Sequence, residues 1–176
     1  MQVIEFNRTE EESLADVEAM LEGRVFHVTR RPFWEAIVTS GEIRPNADGC
    51  LPTTFGSSSN SFFKNRGCVS IFDYRSPADE TIREFRMRCW PFQPAMAGGE
   101  GIAVLILKVS TYGNLVPWTK WKEENALREM VVPYVEAGHP GPIPLSEIEQ
   151  VILLHVAENP TSLSARLRRA RDDKKS

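Results

Sequence analysis

Val25-Phe26-His27-Val28-Thr29-Arg30, followed at once by Arg31-Pro32-Phe33-Trp34-Glu35-Ala36-Ile37-Val38-Thr39-Ser40-Gly41, is the stretch on which the fold turns. Its first six residues are rich in β-branched side chains and read as a strand. Arg31-Pro32 then opens a helix, because proline's fixed φ suits the first helical position, where its missing N–H costs nothing. Phe33, Trp34, Ile37 and Val38 recur at helical spacing, and Gly41 supplies the stop. Side chains alternate faces along a strand, so His27 and Thr29 share one face while Phe26 and Val28 share the other. Two hydrogen-bonding side chains on one face, where a strand runs into a helix, form a candidate grip for a polar ligand.

On the N-terminal side, the first 24 residues read as one helix. Thr9 and Glu12 have capping-box spacing; Leu14, Val17, Met20 and Leu21 follow at helical spacing; Gly23 ends the run. On the C-terminal side, residues 44–66 are dominated by Pro, Gly, Asn, Ser and Thr and have no periodicity, which predicts a long functional loop. Residues 67–74 read as a strand, and Ser76-Pro77-Ala78-Asp79 as the cap of a helix that turns Ile82, Phe85 and Trp90 inward and stops at Pro91. Residues 92–101 read as a loop. The apolar run 102–109 reads as a central strand buried on both faces, residues 118–125 as a short helix, and 130–135 and 151–156 as the last strands. Helices early and strands late predict an α+β domain.

The 176 residues fit one domain, with 41% hydrophobic and 26% charged residues. No run of about 18 apolar residues predicts a membrane span. The start lacks the basic and apolar regions of a signal peptide, so a cytoplasmic protein with reduced Cys50, Cys68 and Cys89 is expected, each a small core hydrophobe. The net charge of −3 argues against an overall nucleic-acid coat, but it is unevenly spread. From Thr161 onward six basic residues face two acidic ones; this +4 tail leaves −7 on residues 1–160. Such a tail is either a solvated helix end or a phosphate-facing segment. His27, His139 and His155 are far apart and no CxxC pair occurs, so no metal site is expected. The dinucleotide fingerprint, the P-loop and the GxSxG elbow are absent.

Two short pieces, taken in order, resemble a known family. The first is Val25-Phe26-His27-Val28-Thr29-Arg30 with the Trp34 and Ile37 helix and Ser40-Gly41-Glu42-Ile43-Arg44-Pro45. The second, about 100 residues later, is Leu127-Arg128-Glu129-Met130-Val131-Val132-Pro133 with Ile143-Pro144-Leu145-Ser146-Glu147-Ile148. Together they resemble the opening and closing motifs of ADP-ribosyltransferase-like domains over residues 24–156, closest in pattern to the DNA-targeting ADP-ribosyltransferase toxins. The resemblance implies a split mixed β-sheet with peripheral helices and no metal. It also implies NAD as co-substrate: the enzyme breaks the nicotinamide–ribose bond through an oxocarbenium-like state, which a carboxylate on a ribose hydroxyl stabilises.

Carried over, that carboxylate falls on Glu129, which would open an apolar strand; Glu136, at Tyr134-Val135-Glu136, is the rival. His27 would bond the adenosine-side ribose and Thr29 the nicotinamide half. Ser70 or Tyr74 would stand beside the nicotinamide ring, and Arg66 would meet the pyrophosphate. Asn60, Phe62, Phe63 and Lys64 would hold an acceptor base, unless the two rings pin the loop to the core. Position 127 is Leu, so the two-carboxylate turn of arginine-directed toxins is missing. The implied role is a toxin or phage-defence effector acting on DNA or RNA, with an antitoxin or another protein as a candidate partner and no membrane association. The alternatives are a non-catalytic nucleotide- or nucleic-acid-binding module on the same fold, or an RNA 2′-phosphotransferase-like enzyme.

Overall fold

The computed structural model describes residues 1–55, 59–97 and 99–157. Among them, nine strands run in chain order: β1 (Gln2–Thr9), β2 (Val25–Arg30), β3 (Glu42–Ile43), β4 (Cys68–Asp73), β5 (Ile102–Leu107), β6 (Val116–Pro117), β7 (Glu136–Pro140), β8 (Ile143–Pro144) and β9 (Ile148–Ala157). The helices are α1 (Ala15–Ala19), α2 (Arg31–Ser40), α3 (Glu80–Arg88), α4 (Gln93–Met96) and α5 (Thr119–Glu123). Seven strands form one sheet in the order β1-β9-β5-β2-β4-β7-β6, while β3 and β8 pair separately. β1 lies parallel to β9 and the other ladders are antiparallel, so the fold is α+β with a mixed sheet, the expected class.

The apolar run at β5 places it mid-sheet, with all six residues buried. Alternation divides its neighbours between two cores. Phe26, Val28, Val104 and Ile106 pack with Leu14, Val17 and Leu21 around α1 and with Phe92 and Ala95 at α4. Val25, Ala103, Leu105 and Leu107 pack with Trp34 and Ile37 of α2 on the other face. α2 has the expected span and ends at Gly41, where φ is +80°, although Val38 is exposed.

Four expectations are corrected. The predicted first helix is an edge strand plus one short helix. Ile4 and Phe6 alternate with exposed neighbours, a period of two that a parallel partner on β9 satisfies better than a helix. The Thr9–Glu12 contact does form, with the Glu12 carboxylate accepting the Thr9 N–H at 2.6 Å, but it closes a turn instead of opening a helix. Residues 92–101 hold α4 in place of an uninterrupted loop. Residues 130–135 are not a strand: Ser61–Met130 is an isolated bridge, Pro133 has no N–H for a ladder, and Tyr134 has φ +64°. Their apolar character reflects inward packing of Val131, Val132 and Val135, and the strand starts at Glu136. Cys50 is exposed; Cys68 is buried as expected, and Cys89 is half-buried. The basic tail from Thr161 lies outside the described residues.

α3 is capped as its sequence specifies: the Asp79 carboxylate accepts the Ile82 N–H at 2.8 Å. Asp79→Ala should therefore cost about 1 kcal/mol in urea or thermal unfolding, the usual worth of an N-cap. An unchanged midpoint would mean that the cap contributes nothing to this helix.

Candidate functional site

β2 pairs with β5 from Phe26 to Arg30, yet pairs with β4 only at Val25–Asp73 and Phe26–Phe72. β4 in turn pairs with β7 from Cys68–Pro140 to Phe72–Glu136. Beyond Phe26, therefore, the two halves of the sheet part. The facing backbone groups leave the ladder and need other partners. A bond crosses the gap, from the His27 ring at Nδ1 to the Ser70 carbonyl at 3.0 Å. The opening forms a cleft of about 440 Å³, within the range of small-molecule sites. It draws residues from both faces of the sheet, Val69 and Ile71 from the α2 side and Phe72 from the other, as an opening through the sheet must.

His27 has a defined chemical form here. A carbonyl can only accept, so Nδ1 carries the hydrogen and Nε2 is left as an acceptor. Burial holds its pKa below the usual histidine value, so the ring is neutral near pH 7. Thr29, 4% exposed, also lines the cleft. Glu136 opens β7 and reaches the cleft from the other side. Burial pushes its pKa above the usual carboxylate range, against the pull of the Val132 N–H, which donates to its carboxylate at 3.0 Å, and of the Ser70 side chain. The Cys89 thiol lies in the same cleft and is pushed up to about 11, first by burial and then by the Glu136 charge.

Arg44 and Lys64 bring positive charge to the cleft, and among the described residues neither is in an ion pair. The loop after β3 forms one wall. It is held by the Asn46 side chain, which donates to the Leu51 carbonyl at 2.7 Å and accepts its N–H at 2.8 Å. Phe55 of this loop lies 5.6 Å from the Phe72 ring.

Of the residues singled out by sequence, His27, Thr29, Ser70 and the rival Glu136 come together at this cleft. Tyr74 does not: it is 6% exposed, edge-on to Phe26 at 5.0 Å, with the Arg86 guanidinium 3.9 Å from its ring. Burial pushes its hydroxyl pKa up. Arg66 and Glu129 are also outside the lining and are bound to each other at 2.6 Å. Asn65 donates to Glu129 at 3.0 Å, and together with Arg66 it holds that carboxyl below the usual range. Asn60 ties the loop down through a 2.6 Å bond to the Arg128 carbonyl, and Phe62 and Phe63 are fully buried, so the rings pin the loop to the core. Arg44 also lines the cleft, although the sequence does not single it out as a candidate. Its signal was a cation directly after the apolar end of the opening motif. Among the described residues no cluster of His, Cys, Asp and Glu can hold a metal, and no helix is long and apolar enough to cross a membrane.

No protein-family model matches this chain, and no curated protein matches it. Among solved structures it is similar to the DarT of Thermus sp. 2.9 in complex with carba-NAD+, at 12% identity, with 87% of this chain and 89% of that chain covered and a TM-score of 0.41.

Proposed function

We propose that this chain transfers ADP-ribose from NAD, that NAD occupies the cleft between β2 and β4, and that Glu136, not Glu129, is the essential carboxylate. The observation that carries this reading is the convergence of Glu136, Ser70 and His27 on one cleft, where the His27 ring bonds the Ser70 carbonyl across the split in the sheet. Breaking the nicotinamide–ribose bond develops positive charge on the sugar. The charge moves there from the nicotinamide ring, which leaves neutral, and a carboxylate fixed on a ribose hydroxyl in a partly desolvated cleft stabilises it more in the transition state than in the ground state. Glu136 suits this role, being half-buried and held by the Val132 N–H. The free Nε2 of His27 accepts from a ribose hydroxyl. Thr29 and Ser70 serve the nicotinamide half, and Arg44 with Lys64 meets the pyrophosphate, since paired cations match phosphate oxygens.

The acceptor in this reading is a nucleic acid, and the protein a cytoplasmic toxin or defence effector. The motif pattern supports it. Position 134 is Tyr, as 127 is Leu, so neither glutamate has the second carboxylate of arginine-directed enzymes. The test is release of nicotinamide from NAD with DNA or RNA offered as acceptor, followed by mass analysis of the nucleic acid. Release and a mass gain of one ADP-ribose are expected. No cleavage with any acceptor would leave a nucleotide-binding module on this fold.

His27→Ala should weaken NAD binding by about 1–3 kcal/mol, the cost of a buried hydrogen bond whose partner is left unpaired. Calorimetry on the folded variant measures this, and unchanged affinity would remove His27 from the site.

A further inference from the structure

Arg66 and Glu129 carry the residue types of a catalytic pair yet lie outside the cleft, and the contacts around them say what they hold. The guanidinium donates to Glu124 at 2.8 and 2.5 Å, to Glu129 at 2.6 Å and to the Phe62 carbonyl at 2.9 Å, and lies 3.5 Å from the centre of the Phe62 ring. Arg66 sits in the 3₁₀ turn Lys64–Arg66, immediately ahead of β4, which carries Ser70. Glu129 sits immediately ahead of Met130, whose N–H donates to the Asn60 carbonyl at 2.8 Å and whose carbonyl accepts the Phe62 N–H at 2.9 Å. Trp121 Nε1 donates to the Glu129 carbonyl at 2.9 Å. Residues 128–130 are thus fixed to the loop ahead of β4 by side chain and backbone together.

The segment from Met130 to Val135 joins this anchor to Glu136. Its far end is fixed by the Val132 N–H on the Glu136 carboxylate and by the Val135 carbonyl, which accepts the Asp73 N–H at 2.7 Å. Between them Tyr134 has φ +64°, a left-handed backbone that a bulky residue keeps only where its surroundings over-determine it. A partly exposed ion pair by itself adds little to stability. A forked, stacked and doubly paired arginine at the root of this segment has a different use.

We propose that Arg66, clamped to Glu129, is a positioning residue for Glu136: the pair fixes residues 130–135 so that the Val132 N–H meets the Glu136 carboxylate and aims it into the cleft. The proposal rests on the reading of Glu136 as the essential carboxylate, but its structural half can be tested without turnover.

The variants are Glu129→Gln, which is near-isosteric, and Arg66→Lys, which keeps the charge but loses the fork, with thermal melts to confirm folding; if Arg66→Lys does not fold, Glu129→Gln carries the test alone. Two readouts are taken: steady-state cleavage of NAD, and titration of the Glu136 carboxyl by NMR on protein labelled with ¹³C glutamate. A misplaced carboxylate should lower kcat about 10- to 100-fold with KM for NAD nearly unchanged, because the groups that bind NAD are untouched. Loss of the Val132 bond should also move the Glu136 titration upward, while Glu124→Gln, which leaves Glu129 in place, should move it less. A folded Glu129→Gln with an unmoved Glu136 titration would overturn the proposal, whether or not kcat falls. If the wild type cleaves no NAD, the reading of Glu136 fails, and the titration still decides whether Arg66 and Glu129 position it.

Discussion

Glu136→Gln should leave the fold and NAD affinity nearly intact and lower kcat for NAD cleavage by about 100-fold or more, the usual effect of removing one preorganised electrostatic group. Gln keeps the size and can hydrogen-bond a ribose hydroxyl, but it offers no full negative charge to the oxocarbenium-like state, so the loss falls on turnover rather than binding. The pH dependence has a definite sign. In this reading turnover needs ionised Glu136, and burial raises its pKa in the free protein, so the acid limb of kcat/KM should lie above the ordinary carboxylate range. A carboxyl whose folded pKa is raised above 4.5 favours the folded state while protonated and loses that contribution as pH rises through the raised value. Glu136→Gln should therefore be slightly more thermostable than wild type at neutral pH while being far less active. Full activity in Glu136→Gln would remove this residue from the chemistry.

Phe63→Ala should destabilise the fold by about 3–5 kcal/mol, the range for truncating a fully buried aromatic ring. Phe63 has no exposed surface and lies edge-on to Phe62 at 5.1 Å. It also fills the space above Gly138, where an added Cβ would stand 2.3 Å from the Phe63 ring. Gly138 is the partner of Ser70 across the β4–β7 ladder, so this ring backs the strand pair that forms one side of the cleft. Urea unfolding measures the loss. A change below about 1 kcal/mol would contradict burial and return Phe63 to the role of an exposed stacking surface for an acceptor base.

The parts of the fold legible in the sequence were those whose signals are local. Arg31-Pro32 and Gly41 bracket α2, Asp79 caps α3, and the unbroken apolar run at β5 marks the middle of the sheet. β1 was misread because helical and strand periods overlap in a short segment, and only the distant β9 decides between them. The strand expected at 130–135 is absent for a related reason. Met130-Val131-Val132 is as apolar as a strand, but Val131 and Val132 are half-buried by packing, Met130 is exposed, and the ladder begins after Pro133, at Glu136. Of the cleft lining, His27, Thr29 and Ser70 are legible because strand alternation and motif order select them. Glu129 and Arg66 have the right chemistry, but each satisfies the other. Long-range pairing of this kind leaves no trace in residue spacing.

The central claim is that NAD sits in the split between β2 and β4 with its nicotinamide ribose on Glu136. A crystal structure of the chain with a non-cleavable NAD analogue tests it most directly. The account predicts ligand density in the cleft, with a ribose hydroxyl on His27 Nε2 and another within about 2.6–3.2 Å of the Glu136 carboxylate. An analogue bound against Glu129 and Arg66, with the cleft at His27 vacant, would contradict it.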